Sequence, residues 1–249
     1  MKKLLIIILC FISTSLFSLT QEEIKKTNTE LLKKSGLPIL DSEIEIVSFN
    51  DFFNNQYISS KDRVFINELK KKYQEMNKEQ NEKGYVEEDN LRAQELISIK
   101  LNPKKNLNQN FNEIKMGYIF LSIPDSKDIK TIGYSPMGSY KELKNGDDSD
   151  GWDGIVQFFN YKQIGFCAYT EHNIKLAHSG AQLIREFITY DVSNKPCIII
   201  IKGNEITGYT YKISWYDDTF IRDLECANKK YDSELTNKLI ELANFIDKL

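Results

Sequence analysis

The chain has 249 residues, with 33 Lys and Arg against 36 Asp and Glu and a formal net charge of −3. This acidic balance disfavours nucleic acids and anionic lipid surfaces as partners, because both bind best to a basic face. The length is enough for one sizeable domain, or for one domain with an extension.

Residues 1–18 are predicted to be a secretory signal peptide. A basic start at Lys2 and Lys3 is followed by nine residues without a charge and then by small polar residues, among them Ser15 and Ser18. A membrane helix needs about 20 apolar residues, so an uncleaved anchor is the less favoured alternative. We therefore expect no stable membrane anchor after cleavage, which is placed after either Ser15 or Ser18.

The predicted destination is the periplasm or the outside of the cell. The asparagines include no Asn-x-Ser/Thr sequence, which favours a bacterial envelope over a eukaryotic secretory route. Cys10 follows the bulky Leu9, which disfavours a lipidated cysteine. Loss of Lys2 and Lys3 leaves 31 basic residues against 36 acidic ones, a mature net charge near −5.

Residues 19–101 are predicted to form a helical, charged N-terminal region. Its predicted elements are a helix at 21–34, a strand at 43–47, a helix from Ser59 or Ser60 to Gly84 and a helix at 87–100. Between residues 61 and 100 there are nine basic and nine acidic residues. Such a balance is typical of a solvated face with side-chain pairs. The helices at 60–100 are the predicted contact surface for a protein partner.

An Asn- and Pro-rich stretch at 102–112 is predicted to be a linker, because these residues favour turns over regular structure. Residues 113–249 are predicted to form the second domain. Its strand candidates are 116–123, 129–134, 155–161, 164–170, 197–202, 206–216 and 219–226. A helix capped by Asn173 and reaching Ile188 interrupts them, and an amphipathic helix at 233–249 ends the chain.

Strands in succession without alternating helices predict an α+β fold with a mostly antiparallel sheet. The best-defined part is a three-stranded meander, because residues 209–215 alternate between apolar and polar side chains. A tight turn at Asp217 and Asp218 would set Trp215 opposite Phe220, Tyr211 opposite Leu224 and Tyr209 opposite Cys226.

The mature chain holds three cysteines, so it can form at most one internal disulfide. Cys197 and Cys226 lie on the outer strands of the meander, about 9.6 Å apart, whereas a disulfide needs Cα atoms within about 7 Å. A turn at Gly203 and Asn204 would also place Cys197 on the opposite face. Any disulfide is therefore predicted to involve Cys167, with Cys226 preferred over Cys197 as its partner.

Glu171 and His172 are the candidate catalytic residues, because they lie where a strand meets a helix N-terminus. A site made of Cys167 and His172 is disfavoured, since residues five apart in a strand point to opposite faces. Such a site would also need a free thiol.

The acidic loop before residue 155 suggests a metal site, because clustered carboxylates suit Ca²⁺. The candidate ligands are Asp148, Asp150 and Asp153. The spacing departs from that of an EF-hand, since Gly146 and Gln157 occupy the first and last ligand positions. A solvated loop is the favoured interpretation, and no cofactor motif is present in the sequence.

These observations predict an exported binding or interaction module. Two alternatives stay open: an envelope hydrolase whose site is assembled from distant residues, and a calcium-dependent binding module. A hydrolase predicts that the candidate residues converge in a concave pocket, whereas a module predicts that they are dispersed.

Overall fold

A computed structural model describes residues 44–54, 63–101, 107–141 and 150–249. The predicted signal peptide at 1–18, the helix predicted at 21–34 and residues 102–106 of the predicted linker lie outside the described residues. The division into domains at 102–112 therefore stays a prediction. The described residue Asn108 pairs with Tyr134 at the edge of the sheet.

The described chain contains ten strands and five α-helices. The strands are β1 Ile44–Val47, β2 Val86–Glu87, β3 Ile129–Lys141, β4 Gly151–Tyr161, β5 Gly165–Asn173, β6 Ala181–Ile184, β7 Tyr190–Val192, β8 Lys195–Asn204, β9 Gly208–Tyr216 and β10 Phe220–Asn228. The helices are α1 Phe49–Phe53, α2 Arg63–Lys83, α3 Leu91–Leu101, α4 Ile174–Ala177 and α5 Glu234–Ile246.

The main sheet joins two antiparallel meanders, β3-β4-β5 and β8-β9-β10. Its strand order is β2-β8-β9-β10-β5-β4-β3, with β7 pairing against the start of β8. Only β2 runs parallel to its neighbour in this sheet, and β1 pairs with β6 in a separate parallel pair. The predicted α+β class, with N-terminal helices, a mostly antiparallel sheet and a C-terminal helix, is confirmed.

The two faces of the sheet are covered by different helices. On the first face, α5 buries the apolar stripe predicted from its spacing, Leu235, Leu239, Leu242 and Ile246. These side chains pack into the large core with Trp215 and both disulfide cysteines. On the second face, Leu96 of α3 packs against Phe166, Ala168 and Ala227.

The strand predicted at 116–123 does not form. Met116 makes one bridge to Trp152. Farther along, Ile123 donates its backbone N–H to Oε1 of Gln157 over 2.8 Å and accepts from Nε2 of that side chain over 2.9 Å. A side-chain amide therefore takes the place of a partner strand here.

The helix predicted after Asn173 is wrong beyond its first turn. Asn173 caps α4 as predicted, because its Oδ1 accepts from the backbone N–H of Leu176 over 3.0 Å. His178 then adopts a positive φ of 48° and ends the helix. The apolar residues that follow form β6, whose partner β1 is more than 130 residues away in sequence.

The predicted pairing of β9 with β10 is wrong by two residues. Trp215 lies opposite Arg222, and Tyr211 lies opposite Cys226. The turn is longer than predicted because Oδ1 of Asp217 accepts the backbone N–H groups of Thr219 and Phe220. Since the side-chain period of a strand is two, this shift leaves every residue on its predicted face.

The predicted orientation of Cys197 is also wrong. The turn between β8 and β9 follows Asn204, which pairs with Gly208, so Cys197 lies opposite Trp215 and faces the same core. The predicted partner of Cys226 is nevertheless confirmed. Cys167 and Cys226 form a disulfide between directly paired positions of β5 and β10, with Cα atoms 4.0 Å apart.

The outer edge of β8 is covered in three sections. β7 pairs with its first residues and β2 with Lys202 and Gly203. Between them, Nε2 of Gln80 in α2 donates to the carbonyl of Ile199 over 2.8 Å, and its Oε1 accepts from the N–H of Ile201 over 3.2 Å. One side chain thus supplies the donor and the acceptor that a neighbouring strand would supply.

The disulfide and the burial of the remaining thiol predict a simple thiol count. Burial, with a smaller contribution from Asp191, raises the pKa of the Cys197 thiol to about 12, and the thiolate is the reactive form. We expect the mature, unreduced protein to react with a thiol reagent at neutral pH at one site per chain in denaturant and at none when native. Three reactive thiols in denaturant would contradict the disulfide.

Candidate functional site: a groove beside helix α3

Glu171, a candidate catalytic residue, is buried in the first face of the sheet. Its Oε2 accepts from the hydroxyl of Tyr169 over 2.8 Å and from Nε of Arg222 over 2.9 Å. Burial and the neighbouring carboxylate raise the pKa of Tyr169 well above its ordinary value. The carboxylate of Glu171 is therefore occupied by the hydroxyl of Tyr169 and by the guanidinium of Arg222.

Arg222 continues this contact into a network that reaches the end of α5. Its Nη1 donates to Oδ2 of Asp217 over 2.6 Å. Lys195 lies 3.5 Å from Asp217 and donates to both carboxylate oxygens of Asp247. Asp247 also accepts from the indole N–H of Trp215 over 2.9 Å. The network joins β5, β8, β9, β10 and α5, so its first role is to fix their relative positions.

The structure brings together two candidates from different predicted sites. His172 lies with its Nε2 3.5 Å from Oδ1 of Asp153, a carboxylate that is only 1% exposed. The same oxygen accepts from the backbone N–H of Ser139 over 2.9 Å. Glu171 is adjacent to His172 in β5, and adjacent side chains of a strand point to opposite faces. The two candidate catalytic residues accordingly have different partners, Arg222 for Glu171 and Asp153 for His172.

The acidic loop is only partly described. Asp148 lies outside the described residues. Asp150 forms an ion pair with Lys115, and its Oδ1 is buried without a hydrogen-bond partner among the described residues. Those residues contain no group of three or more His, Cys, Asp and Glu side chains that could hold a metal ion. The calcium site therefore stays a prediction.

Cys167 is oxidised in the disulfide and offers no thiol to His172.

A shallow cavity of about 370 Å³ lies elsewhere, between α3 and the turn that joins β8 to β9. It is lined by Gln94, Ile97 and Ser98 of α3, by Glu205, Ile206, Thr207 and Gly208 of the turn, and by Lys229 after β10. Ile206 forms one wall and is 91% exposed. Leu91, at the start of α3, is 75% exposed.

Buried hydrogen bonds hold this turn against the start of α3. Asn90 caps the helix, since its Oδ1 accepts from the N–H of Ala93 over 2.9 Å. Its Nδ2 donates to the carbonyl of Lys202 and to the hydroxyl of Thr210. The backbone N–H of Asn90 donates to the hydroxyl of Thr207 over 3.0 Å. All the polar groups of the Asn90 side chain are thereby satisfied.

The turn has a second polar anchor. Oδ1 of Asn204 accepts from the backbone N–H groups of Ile206 and Thr207. Its Nδ2 donates to Asp89 over 2.9 Å. Ile206 is therefore held at a fixed position by groups that do not bury it. Binding residues are often found on loops that a rigid scaffold positions.

No family model, no curated protein and no solved structure matches this chain.

Sequence reasoning missed the residues that organise both regions. Arg222 and Asp247 belong to no motif, because their partners come from distant strands. Asn90 had a visible signal, since an Asn directly before an apolar helical stretch is a preferred cap. Ile206 was placed within a strand, where its exposure could not be foreseen.

Loss of Arg222 should destabilise the protein strongly. Arg222→Met leaves the buried carboxylate of Glu171 without its cation, so we expect the free energy of unfolding to fall by about 3 kcal/mol. Lys130→Met is the matched control, because Lys130 pairs with Asp125 at the surface over 3.7 Å and should cost less than about 1 kcal/mol. Urea unfolding measures both, and equal losses would contradict the role of the network.

Asp217 should contribute to stability only above acidic pH. Burial opposes ionisation, but the hydrogen bonds from Arg222 and from two backbone N–H groups prevail and lower the pKa of Asp217 below its ordinary 3.8. The stabilisation is therefore fully present above that ordinary value and is lost as the pH falls through the lowered folded pKa.

The variant Asp217→Asn should be less stable than the parent at neutral pH, and the two should converge as the pH falls. Asp218→Asn, at the exposed neighbouring position, is the control and should differ little at any pH. Urea unfolding over a pH series measures both differences, and a constant difference for Asp217→Asn would count against the assignment.

Proposed function

We propose that this protein is an exported interaction module whose contact surface is the groove between α3 and the β8–β9 turn. The observation that carries the proposal is Ile206, which is 91% exposed although its backbone N–H is bound by Asn204 and its neighbour Thr207 accepts a buried hydrogen bond from the backbone N–H of Asn90. Folding alone gives no reason to fix an exposed isoleucine. Binding does, because an anchor that is already positioned loses little entropy in a complex.

Export is supported by two features. Residues 1–18 have the charge and apolar pattern of a secretory signal. The Cys167–Cys226 disulfide is the kind of bond that persists in oxidising compartments outside the cytoplasm. Within the described part of the chain, no helix has the length and apolar character needed to cross a membrane.

Of the two helices within the predicted contact surface at 60–100, we propose that α3 makes the contact. On α2 the exposed charges pair with one another, as in Lys71 with Glu75 and Lys78 with Glu82. Such pairs form a solvated face. On α3, Leu91 is exposed at the start of the helix whose Gln94 and Ile97 line the groove, and exposed apolar side chains grouped on a surface mark interaction sites.

An envelope hydrolase is the second candidate, and the contact between Asp153 and His172 favours it. A buried carboxylate beside an imidazole is the arrangement that orients a general base. It ranks second because Glu171 is committed to Arg222 and Tyr169, and because Cys167 is oxidised.

Cross-linking from position 206 tests the interaction module. A photoreactive phenylalanine analogue in place of Ile206, in the full-length chain produced in its exporting cell, should form a cross-link to a protein in the exported fraction. The same analogue in place of Ile119, another isoleucine that is 86% exposed, should not. Absence of a cross-link at 206, or equal cross-linking at both positions, would overturn the proposal.

A further inference from the structure

We infer that the occupant of the groove is a second copy of this chain, related to the first by a twofold axis. The inference rests on the proposed function, since it names the partner of the same surface. In this arrangement Ile206 of each copy enters the groove of the other.

The surface carries both halves of such a contact. A twofold interface uses one patch twice, so the patch must contain the projecting group and the cavity that receives it. Ile206 is the projecting group, and the groove beside it has Ile97 as an apolar lining residue. A cavity of about 370 Å³ has room for an isoleucine side chain.

The groove also carries one charge of each sign, so two copies of this surface can be complementary to each other in charge. Glu205 and Lys229 both line it and are both exposed. Within the described residues neither of them forms an ion pair. A twofold axis through the groove would bring Glu205 of each copy to Lys229 of the other. A surface built for a strongly acidic or strongly basic partner would carry one sign of charge.

The turn is prepared for this contact before it is made. Asn204 and Thr207 fix the backbone on both sides of Ile206 through hydrogen bonds of 2.8 to 3.0 Å. The opposite wall is the regular helix α3, whose start is capped by Asn90. Neither wall has to reorganise, so little of the binding free energy is lost to ordering.

A small molecule fits this groove less well. Ligand sites bury most of their ligand in a concave pocket, whereas one wall here is a side chain that is itself 91% exposed. The projecting side chain of Ile206 beside a shallow groove is suited to a partner surface that has both a projecting side chain and a groove.

Charge reversal and its repair test the inference on the purified mature protein. Sedimentation velocity over a concentration series should show a reversible monomer–dimer equilibrium. Glu205→Lys and Lys229→Glu should each weaken the dimer about tenfold or more, because like charges then face each other across the axis. The double variant should restore the parental affinity, since each new charge again meets its opposite.

Two further variants complete the design. Ile206→Asp should abolish the dimer, and Ile119→Asp, at the matched exposed isoleucine, should leave it unchanged. Circular dichroism melting should show parental stability for all these surface variants, which separates lost association from lost folding.

The outcomes separate the two proposals. A parent that remains monomeric, or a double variant that stays as weak as the single ones, overturns the twofold contact. If the protein is monomeric but position 206 still cross-links to a different protein in cells, the interaction module stands and only the identity of its partner is wrong. A monomer without that cross-link overturns both proposals.

Discussion

The pairing of β5 with β10 is the contact on which the rest of the structure depends. Each meander forms from strands that are neighbours in sequence, so its pairing closes only short loops. Among the strands that the structure describes, β5 and β10 are the pair that joins the two meanders, and the residues that they bring together are 59 apart at the disulfide. Closing a loop of that length in the unfolded chain corresponds to about 4 kcal/mol in the chain-entropy account. The covalent bond therefore lies where the two meanders meet, across a longer loop than the pairings within either meander close.

The paired strands β5 and β10, here called the seam, also contain the buried ion pair of Glu171 with Arg222. These two residues lie directly opposite each other. The disulfide fixes one end of the seam and the ion pair fixes the other. Because Arg222 also contacts Asp217, and Lys195 joins Asp217 to Asp247, the position of α5 depends on the seam as well. On the other face, α3 packs on β5 and β10, so the helical wall of the groove is positioned by the same two strands.

The sequence was sufficient for the features that depend on local pattern. The alternation of β9, the stripe of α5 and the succession of strands all report which face of an element is buried, and the α+β class follows from them. Strand spacing, which does not depend on the detailed register, was enough to exclude a bridge between Cys197 and Cys226. The choice of Cys226 over Cys197 as the partner of Cys167 was a preference that the structure confirms. The two errors of register came from turns, because the side chain of Asp217 and the position of Asn204 decide how many residues each turn uses.

The features that could not be predicted depend on contacts distant in sequence. Residues 116–123 have the composition of a strand, but Gln157 occupies the backbone of Ile123. The groove likewise depends on Asn90 and Thr207, which are 117 residues apart. Of the candidate site residues, Asp153 and His172 meet only because β4 and β5 are paired in one particular register.

The amide of Gln80 has a consequence for how this protein meets its own copies. The interior of β8 is a run of four isoleucines, a composition that forms stacked intermolecular sheets readily when its backbone is open. Gln80 closes the middle of that backbone with two hydrogen bonds, between the residues that pair with β7 and those that pair with β2. A second copy that met this edge would find the backbone of β8 already paired with β7, Gln80 and β2, so open-ended growth of the sheet from β8 is blocked.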